Sequence, residues 1–255
     1  MIVTELQGWA RSLSEEGISI RWVVGPGGTD VLAQEGIPPD LVTEVDVTDA
    51  YAALPLKTLS WLEVASREHP AQYFLKVDDD VFVRFDRLPA AARQWTINSS
   101  DYVGCMKQGP VVTDPLLRWR EPQAALLGPT YFTHAWGPAY ALSAKTVSTL
   151  TSLPKVALRY LANEDTSVGL WVLATGGGAV YDDDRRLCET ACSPTALAVY
   201  DYPKCAGLCR PAEALAHLLA SPECSPDTGI EPHRLPPLFH LPHAAGLVGT
   251  GWGPG

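Results

Sequence analysis

An apolar run changes without a break into three acidic residues and then resumes in the segment Gln72-Tyr73-Phe74-Leu75-Lys76-Val77-Asp78-Asp79-Asp80-Val81-Phe82-Val83. Its first six residues include aromatic and β-branched side chains and have the length of a strand. Open α/β sheets bind their ligands beyond the carboxyl ends of strands. The acidic triplet therefore stands where such a sheet would bind a ligand.

The flanking sequence alternates between the two periodic patterns. Strands are predicted at 18–25 and 41–47, and helices at 4–16, 54–69 and 85–95. Such alternation predicts an α/β fold with an open, largely parallel sheet.

The second half of the chain is less regular. Residues 101–143 carry loop signals and short apolar runs, and helices are predicted at 143–153, 158–173 and 211–220. Residues 225–255 are dense in Pro and Gly, so we expect a poorly ordered tail after a domain formed by residues 1–224.

Charge and cysteine content narrow the class of protein. The formal net charge of −10 argues against a nucleic-acid-binding surface, which needs clustered Lys and Arg. Five of the six cysteines fall within 188–224. An even, clustered set is typical of disulfides in an oxidising compartment, and the two C-x-x-x-C pairs leave zinc as the alternative.

The acidic triplet has two interpretations. Hard cations such as Mg²⁺ and Mn²⁺ prefer carboxylate oxygens and commonly bridge to phosphates, so the triplet predicts a metal–diphosphate site. The alternative is a solvated acidic turn. A second triplet, Asp182-Asp183-Asp184, precedes Arg185 and Arg186, which can neutralise it, so we predict a charged loop there.

Four blocks, in order, resemble the β-1,3-galactosyltransferase family. The first is 74–83, around the acidic triplet. Residues 46–59, with Asp49-Ala50-Tyr51 and Leu56-Lys57-Thr58, are similar to the block that precedes it in the family, while 136–143 and 164–169 are similar to two blocks that follow it. The cysteine-rich part looks closer to plant and algal members.

The resemblance implies a fold, an activity and a location. The fold is of the GT-A type, a Rossmann-like open mixed sheet flanked by helices, here with a Cys-rich C-terminal segment. The activity is inverting transfer of a sugar from a UDP-sugar to a glycan or glycoprotein hydroxyl, with Mn²⁺ or Mg²⁺. We expect galactose as the sugar, with N-acetylglucosamine as the alternative, and a β-1,3 linkage.

Family members are Golgi membrane proteins with a lumenal catalytic domain. Their N-terminal anchor and early basic block have no counterpart here, so we expect an N-terminally truncated chain. Its oligomeric state stays open.

The resemblance also assigns the central roles. Asp80 matches a metal ligand, Asp78 matches a group facing the metal or the ribose, and Asp165 matches the catalytic base. A carboxylate at a helix N-terminus is the structural alternative for Asp165. The family's second metal ligand is a His, but residues 197–202 contain none. Asp201 is our candidate, with three histidines as alternatives: His217, His240 and His243.

Further residues are expected around the sugar nucleotide. The cofactor-binding candidates are Asp78, Asp79, Lys57 and Asp49, and Lys57 has a helix-surface lysine as its alternative. Candidates for the acceptor and donor pocket are Trp136, Gly137, Tyr140 and Glu164, the aromatic ones with a core position as the alternative. Two other functions remain open: an inactive glycan-binding or scaffolding relative in the Golgi, and a cytosolic metal-dependent hydrolase.

Overall fold

The computed structural model of the protein describes residues 10–175, 178–201 and 204–224. Its strands are β1 (Trp22–Val24), β2 (Val42–Glu44), β3 (Tyr73–Val77), β4 (Phe82–Val83), β5 (Tyr102–Lys107), β6 (His134–Ser143), β7 (Tyr181–Asp183) and β8 (Ala198–Val199). Its helices are α1 (Gly28–Gln34), α2 (Leu54–Glu68), α3 (Leu88–Ile97), α4 (Ala124–Leu127), α5 (Ala144–Ser152), α6 (Glu164–Ala174) and α7 (Pro211–Ala220). Residues 10–15 are also helical. The predicted tail and the start of the first predicted helix lie outside the described residues.

The largest sheet has four strands in the order β3-β6-β5-β7. Strand β6 is antiparallel to both β3 and β5, and β7 is parallel to β5. The expectation of a largely parallel sheet is therefore wrong for this sheet and holds for the β1–β2 pair. The reason is the insertion of β6 between β3 and β5, which are consecutive in sequence among the strands of this sheet. The observed sheet is open and mixed.

Two long strands occupy the segment that we expected to be mainly loops, 101–143. Strand β6 is buried along most of its length and contains Gly, Pro and three Ala, so it shows neither alternation nor high strand propensity. In β5, a Cβ added to Gly104 would lie 2.6 Å from the Cβ of Ala135 on β6. The close approach of these two strands explains a glycine that reads as a loop signal.

Helices cover both faces of the sheet. Alternate residues of β6 divide between two cores, with Tyr140 and Leu142 in one and Ala139 and Ala141 in the other. Helices α2, α5 and α6 pack in the first core, and α3, α7 and the β4–β8 pair in the second. Each fully buried Leu contributes about 1.5–3 kcal/mol relative to an exposed one. The mixed sheet flanked by helices confirms the predicted fold class.

Two predicted helices differ in their outcome. Helix α5 begins after Ser143, whose Oγ accepts the backbone N–H of Thr146 at 3.2 Å, as a capping residue does. Helix α6 begins only at Glu164, so the predicted start at 158 is wrong. The Leu161 N–H donates to Ser167 Oγ at 2.9 Å, which holds the preceding segment in a non-helical conformation.

The cysteines form three disulfides, Cys105–Cys188, Cys192–Cys224 and Cys205–Cys209. This confirms the disulfide interpretation over zinc.

The second acidic triplet was predicted to be a loop, but Asp182 and Asp183 belong to β7, which pairs with β5. Asp184 follows the strand and is 8% exposed. Its carboxylate pairs with Arg186 at 2.6 Å and accepts the Trp95 Nε1–H at 2.8 Å. The expected neutralisation by arginine is confirmed. Within the described part of the chain, no helix has the length and apolar composition needed to cross a bilayer.

Candidate active site

The acidic triplet begins where β3 ends. The Asp78 N–H donates to the Pro138 carbonyl at 2.9 Å, so the pairing of β3 with β6 continues to the first aspartate. Lys76 lies two residues earlier in the strand, and its Nζ pairs with the Asp78 carboxylate. The same Nζ donates to the Gly137 carbonyl at 2.8 Å and lies 3.7 Å from Glu164 Oε2. Lys76 therefore connects the triplet to the start of α6.

Glu164, the first residue of α6, is 7% exposed. Its Oε1 accepts the Tyr140 hydroxyl, whose ring is 1% exposed and packs edge-on against Tyr102. Burial raises the pKa of Glu164, although Lys76 and Tyr140 oppose the rise. Tyr140 lies in the core, which was its alternative position, and its hydroxyl bonds Glu164. Its contact with a sugar stays a prediction.

Asp165 has a different set of partners. Its Oδ2 lies 3.1 Å from Lys107 Nζ and 3.9 Å from His134 Nε2, and its Oδ1 accepts the backbone N–H of Thr166 at 2.8 Å. Burial pushes the pKa of Asp165 up, but Lys107 and His134 outweigh it and hold the pKa below the ordinary value. The surroundings of Asp165 therefore favour the ionised form of its carboxylate.

Asp80 is the most enclosed member of the triplet, at 8% exposure. Burial, with the charges of Asp78 and Asp79, raises the pKa of its carboxyl to about 7. A buried carboxylate in this state is stabilised by a counter-charge, and a hard divalent cation is the chemical match. In the described residues no group of three His, Cys, Asp or Glu side chains could hold a metal. That Asp80 and Asp78 hold a cation whose other ligands come from phosphate and water stays a prediction.

The second protein ligand stays a prediction. The Oδ2 of Asp201 accepts the Cys209 N–H at 2.9 Å, so this carboxylate also holds the turn that follows it. His217 is exposed on α7, and His240 and His243 lie outside the described residues. Asp79 is exposed, and its predicted contact with the nucleotide also stays a prediction.

The remaining candidates form two groups. The Lys57 side chain is only 15% exposed and pairs with Asp49, whose Oδ2 accepts the Gly25 N–H at 2.8 Å just after β1. Lys57 is therefore not a free surface lysine. Trp136 is half-buried, with Lys107 Nζ 4.2 Å from its ring centroid. Gly137 faces Asp165, since an added Cβ would lie 3.5 Å from Asp165 Oδ2.

The family model for galactosyltransferases matches residues 10–178. The chain belongs to the galactosyltransferase family. A probable β-1,3-galactosyltransferase 13 of Arabidopsis thaliana is 39% identical over 223 residues, which are 86% of this chain and 64% of that protein. A probable β-1,3-galactosyltransferase 12 of the same plant is 42% identical over 188 residues, 74% of this chain and 50% of that protein. The chain thus spans between half and two thirds of the length of these relatives.

In this member of the galactosyltransferase family, four residues of the site were not predicted as site residues from the sequence: Lys76, Lys107, His134 and Tyr51. Lys76 carried a signal, because alternation in a strand places it on the same face as Asp78. Lys107 and His134 carried none, since they are far from Asp165 in the sequence. Tyr51 lies in the block 46–59, and its hydroxyl donates to Oδ1 of Asn163, the residue before α6, at 2.8 Å.

Proposed function

We propose that this chain transfers galactose from UDP-galactose to a hydroxyl of a glycan or glycoprotein, forming a β-1,3 linkage with inversion at the anomeric carbon. Family membership and the names of the relatives support galactosyl transfer. The resemblance described above is the basis for the donor, the linkage and the inversion.

One observation carries the proposal: of the two adjacent carboxylates that begin α6, Glu164 is bonded to Tyr140 in the core, whereas Asp165 lies beside Lys107 at the end of β5. Burial raises the pKa of Glu164, whereas Lys107 and His134 help to hold that of Asp165 low. Such divergence marks the residues that take acid–base roles. Asp165, whose ionised form is favoured, is the proposed base, and Glu164 holds Lys76 and Tyr140 in place.

The reaction that follows is a single displacement. Asp165 accepts the proton of the acceptor hydroxyl while that oxygen forms a bond to the sugar C1, and the C1–oxygen bond to UDP breaks on the opposite face. Asp80 and Asp78 would hold Mn²⁺ or Mg²⁺, which when bound neutralises charge on the diphosphate. Lys76 keeps Asp78 oriented beside the start of α6.

A secretory location accompanies this function. Three disulfides are typical of an oxidising compartment, and we propose the Golgi lumen. The net charge of −10 disfavours nucleic acid as a partner.

The test is a donor screen on the purified chain. UDP release is measured with UDP-galactose or UDP-N-acetylglucosamine, with and without Mn²⁺, across a panel of aryl glycoside acceptors. We expect release only with UDP-galactose, Mn²⁺ and an acceptor together. Asp80→Ala should abolish it. Asp183→Ala is the matched control, because Asp183 lies in the other acidic triplet and pairs with Arg185.

Two outcomes would replace the proposal. Binding of UDP and Mn²⁺ without turnover on any acceptor would favour the inactive glycan-binding relative. UDP-sugar hydrolysis that is equally fast without an acceptor would favour a hydrolase.

A further inference from the structure

The turn that follows β8 closes onto the acidic triplet. We propose that Gly207, in the turn 204–209 closed by the Cys205–Cys209 disulfide, is a positioning residue for Asp80. Because Gly207 has no side chain, the backbone of the turn can form one wall of the candidate cation site and hold the Asp80 carboxylate in place. This inference rests on the proposed function, in which Asp80 is a metal ligand.

The contact between Gly207 and Asp80 is the primary observation. A Cβ built on Gly207 would lie 2.1 Å from Asp80 Cγ and 2.2 Å from each carboxylate oxygen, far inside van der Waals contact. Gly207 does not have a positive φ, so its backbone conformation does not require glycine. The space taken by the carboxylate is therefore the reason for glycine at this position.

Hydrogen bonds hold the turn against Asp80. The Leu208 N–H donates to the backbone carbonyl of Asp80 at 2.7 Å, and the Asp201 N–H donates to the Gly207 carbonyl at 3.1 Å. The Asp201 carboxylate accepts the Cys209 N–H at 2.9 Å. These bonds attach the turn to Asp80 on one side and to the residue after β8 on the other.

Two further constraints act on the turn. The Cys205–Cys209 disulfide joins Cα atoms 5.4 Å apart across a sequence separation of 4. Strand β8 pairs with β4, which follows the triplet, in the register Phe82 with Val199. The triplet and the turn are thus carried by paired strands, so a change in the turn is transmitted directly to Asp80.

The prediction concerns cation affinity. In Gly207→Ala, the added methyl cannot share the space of the carboxylate, so either Asp80 rotates or the turn withdraws. Both movements remove Asp80 from the geometry that binds the cation. We expect Mn²⁺ to bind at least tenfold more weakly in the presence of UDP.

The experiment measures Mn²⁺ binding with UDP by calorimetry and by electron paramagnetic resonance of free Mn²⁺, alongside thermal unfolding of each variant. Gly109→Ala is the matched control, because a Cβ there meets no atom within 4 Å and its φ is not positive. It should bind Mn²⁺ as the parent does. In a turnover assay, Gly207→Ala should raise the half-saturating Mn²⁺ concentration by the same factor as the dissociation constant. Its kcat at saturating Mn²⁺ should stay within about threefold, a split that general destabilisation would not give.

A second variant covers the case in which Gly207→Ala does not fold. Cys205→Ser/Cys209→Ser leaves the glycine in place and opens the turn, and we expect it to weaken Mn²⁺ binding at least threefold. Parent-like Mn²⁺ affinity in a folded Gly207→Ala, or in the double variant when Gly207→Ala is unfolded, would overturn the inference. If the parent chain itself does not bind Mn²⁺ with UDP, the proposed metal site fails first, and that result is distinct from parent-like affinity in the variants.

Discussion

Replacing Asp165 by Asn tests the proposed base with the smallest change of shape. The amide keeps an oxygen that can accept the Thr166 N–H, now 2.8 Å from the carboxylate, but it cannot take a proton at neutral pH. Loss of a general base costs about 10²–10⁴-fold in rate. That factor corresponds to about 3–5 kcal/mol of transition-state stabilisation. We therefore expect kcat to fall by at least about 100-fold.

The cost in stability should be much smaller. Asp165→Asn breaks the pair with Lys107, whose Nζ lies 3.1 Å away. Breaking a fully buried pair costs about 3–5 kcal/mol. The Lys107 side chain is 30% exposed and can turn to solvent, so we expect about 1–2 kcal/mol. For a domain of this size that lowers the Tm by about 2–8 °C. The variant should stay folded in the assay.

Asp101→Asn is the matched control. Asp101 is buried and pairs with Lys145 at 3.0 Å, as Asp165 pairs with Lys107. It precedes β5, whereas Lys107 ends that strand, so at about 3.4 Å per residue the two pairs lie about 17–20 Å apart.

Asp101→Asn should lower the Tm at least as much and leave kcat within about threefold of the parent. The assay is UDP release from UDP-galactose with Mn²⁺ and an acceptor, with thermal unfolding of each protein. If Asp165→Asn turned over within tenfold of the parent, Asp165 could not be the base. An equal loss of kcat in both variants would also count against Asp165 as the base, because reduced stability would then explain the loss.

Two further predictions concern charge and covalent links. Because the pKa of Asp165 is lowered, its carboxylate contributes stability that is fully present above the ordinary pKa and is lost as the pH falls through the lowered pKa. In Lys107→Met, burial then dominates and the pKa rises, so kcat/KM should decline toward acid at higher pH than in the parent. Superimposable pH profiles would contradict this. The Cys105–Cys188 disulfide joins residues 83 apart in sequence, so replacing both by Ala should cost about 4–5 kcal/mol in urea unfolding. A loss below about 1 kcal/mol would exclude that estimate.

Local sequence predicted the parts of the site that local structure builds. The triplet follows an apolar strand, and Glu164 with Asp165 opens a helix. Both features depend on residues that are neighbours in the chain, so periodicity and turn signals predict them. The strand–helix alternation likewise found β1, β3 and α2, where one residue pattern continues for the length of the element.

The features that the sequence did not predict depend on contacts between segments that are distant in the chain. Strand β6 is inserted between two earlier strands and buried on both faces, so its residues lack the alternation that reveals a half-exposed strand. Lys107 and His134 meet Asp165 only because β5 and β6 are neighbours in the sheet. Gly207 reads as an ordinary turn glycine until Asp80 is found against it.

The neighbouring carboxylates of α6 show why position in a helix does not set chemistry here. Glu164 and Asp165 both stand in the first turn, where the helix dipole favours a negative charge on either. A dipole argument would therefore lower both pKa values. Their directions differ because burial outweighs the favourable partners of Glu164, whereas Lys107 and His134 outweigh burial at Asp165. Since Lys76 also pairs with Asp78, any change that moves this lysine acts on the triplet and on the start of α6 together.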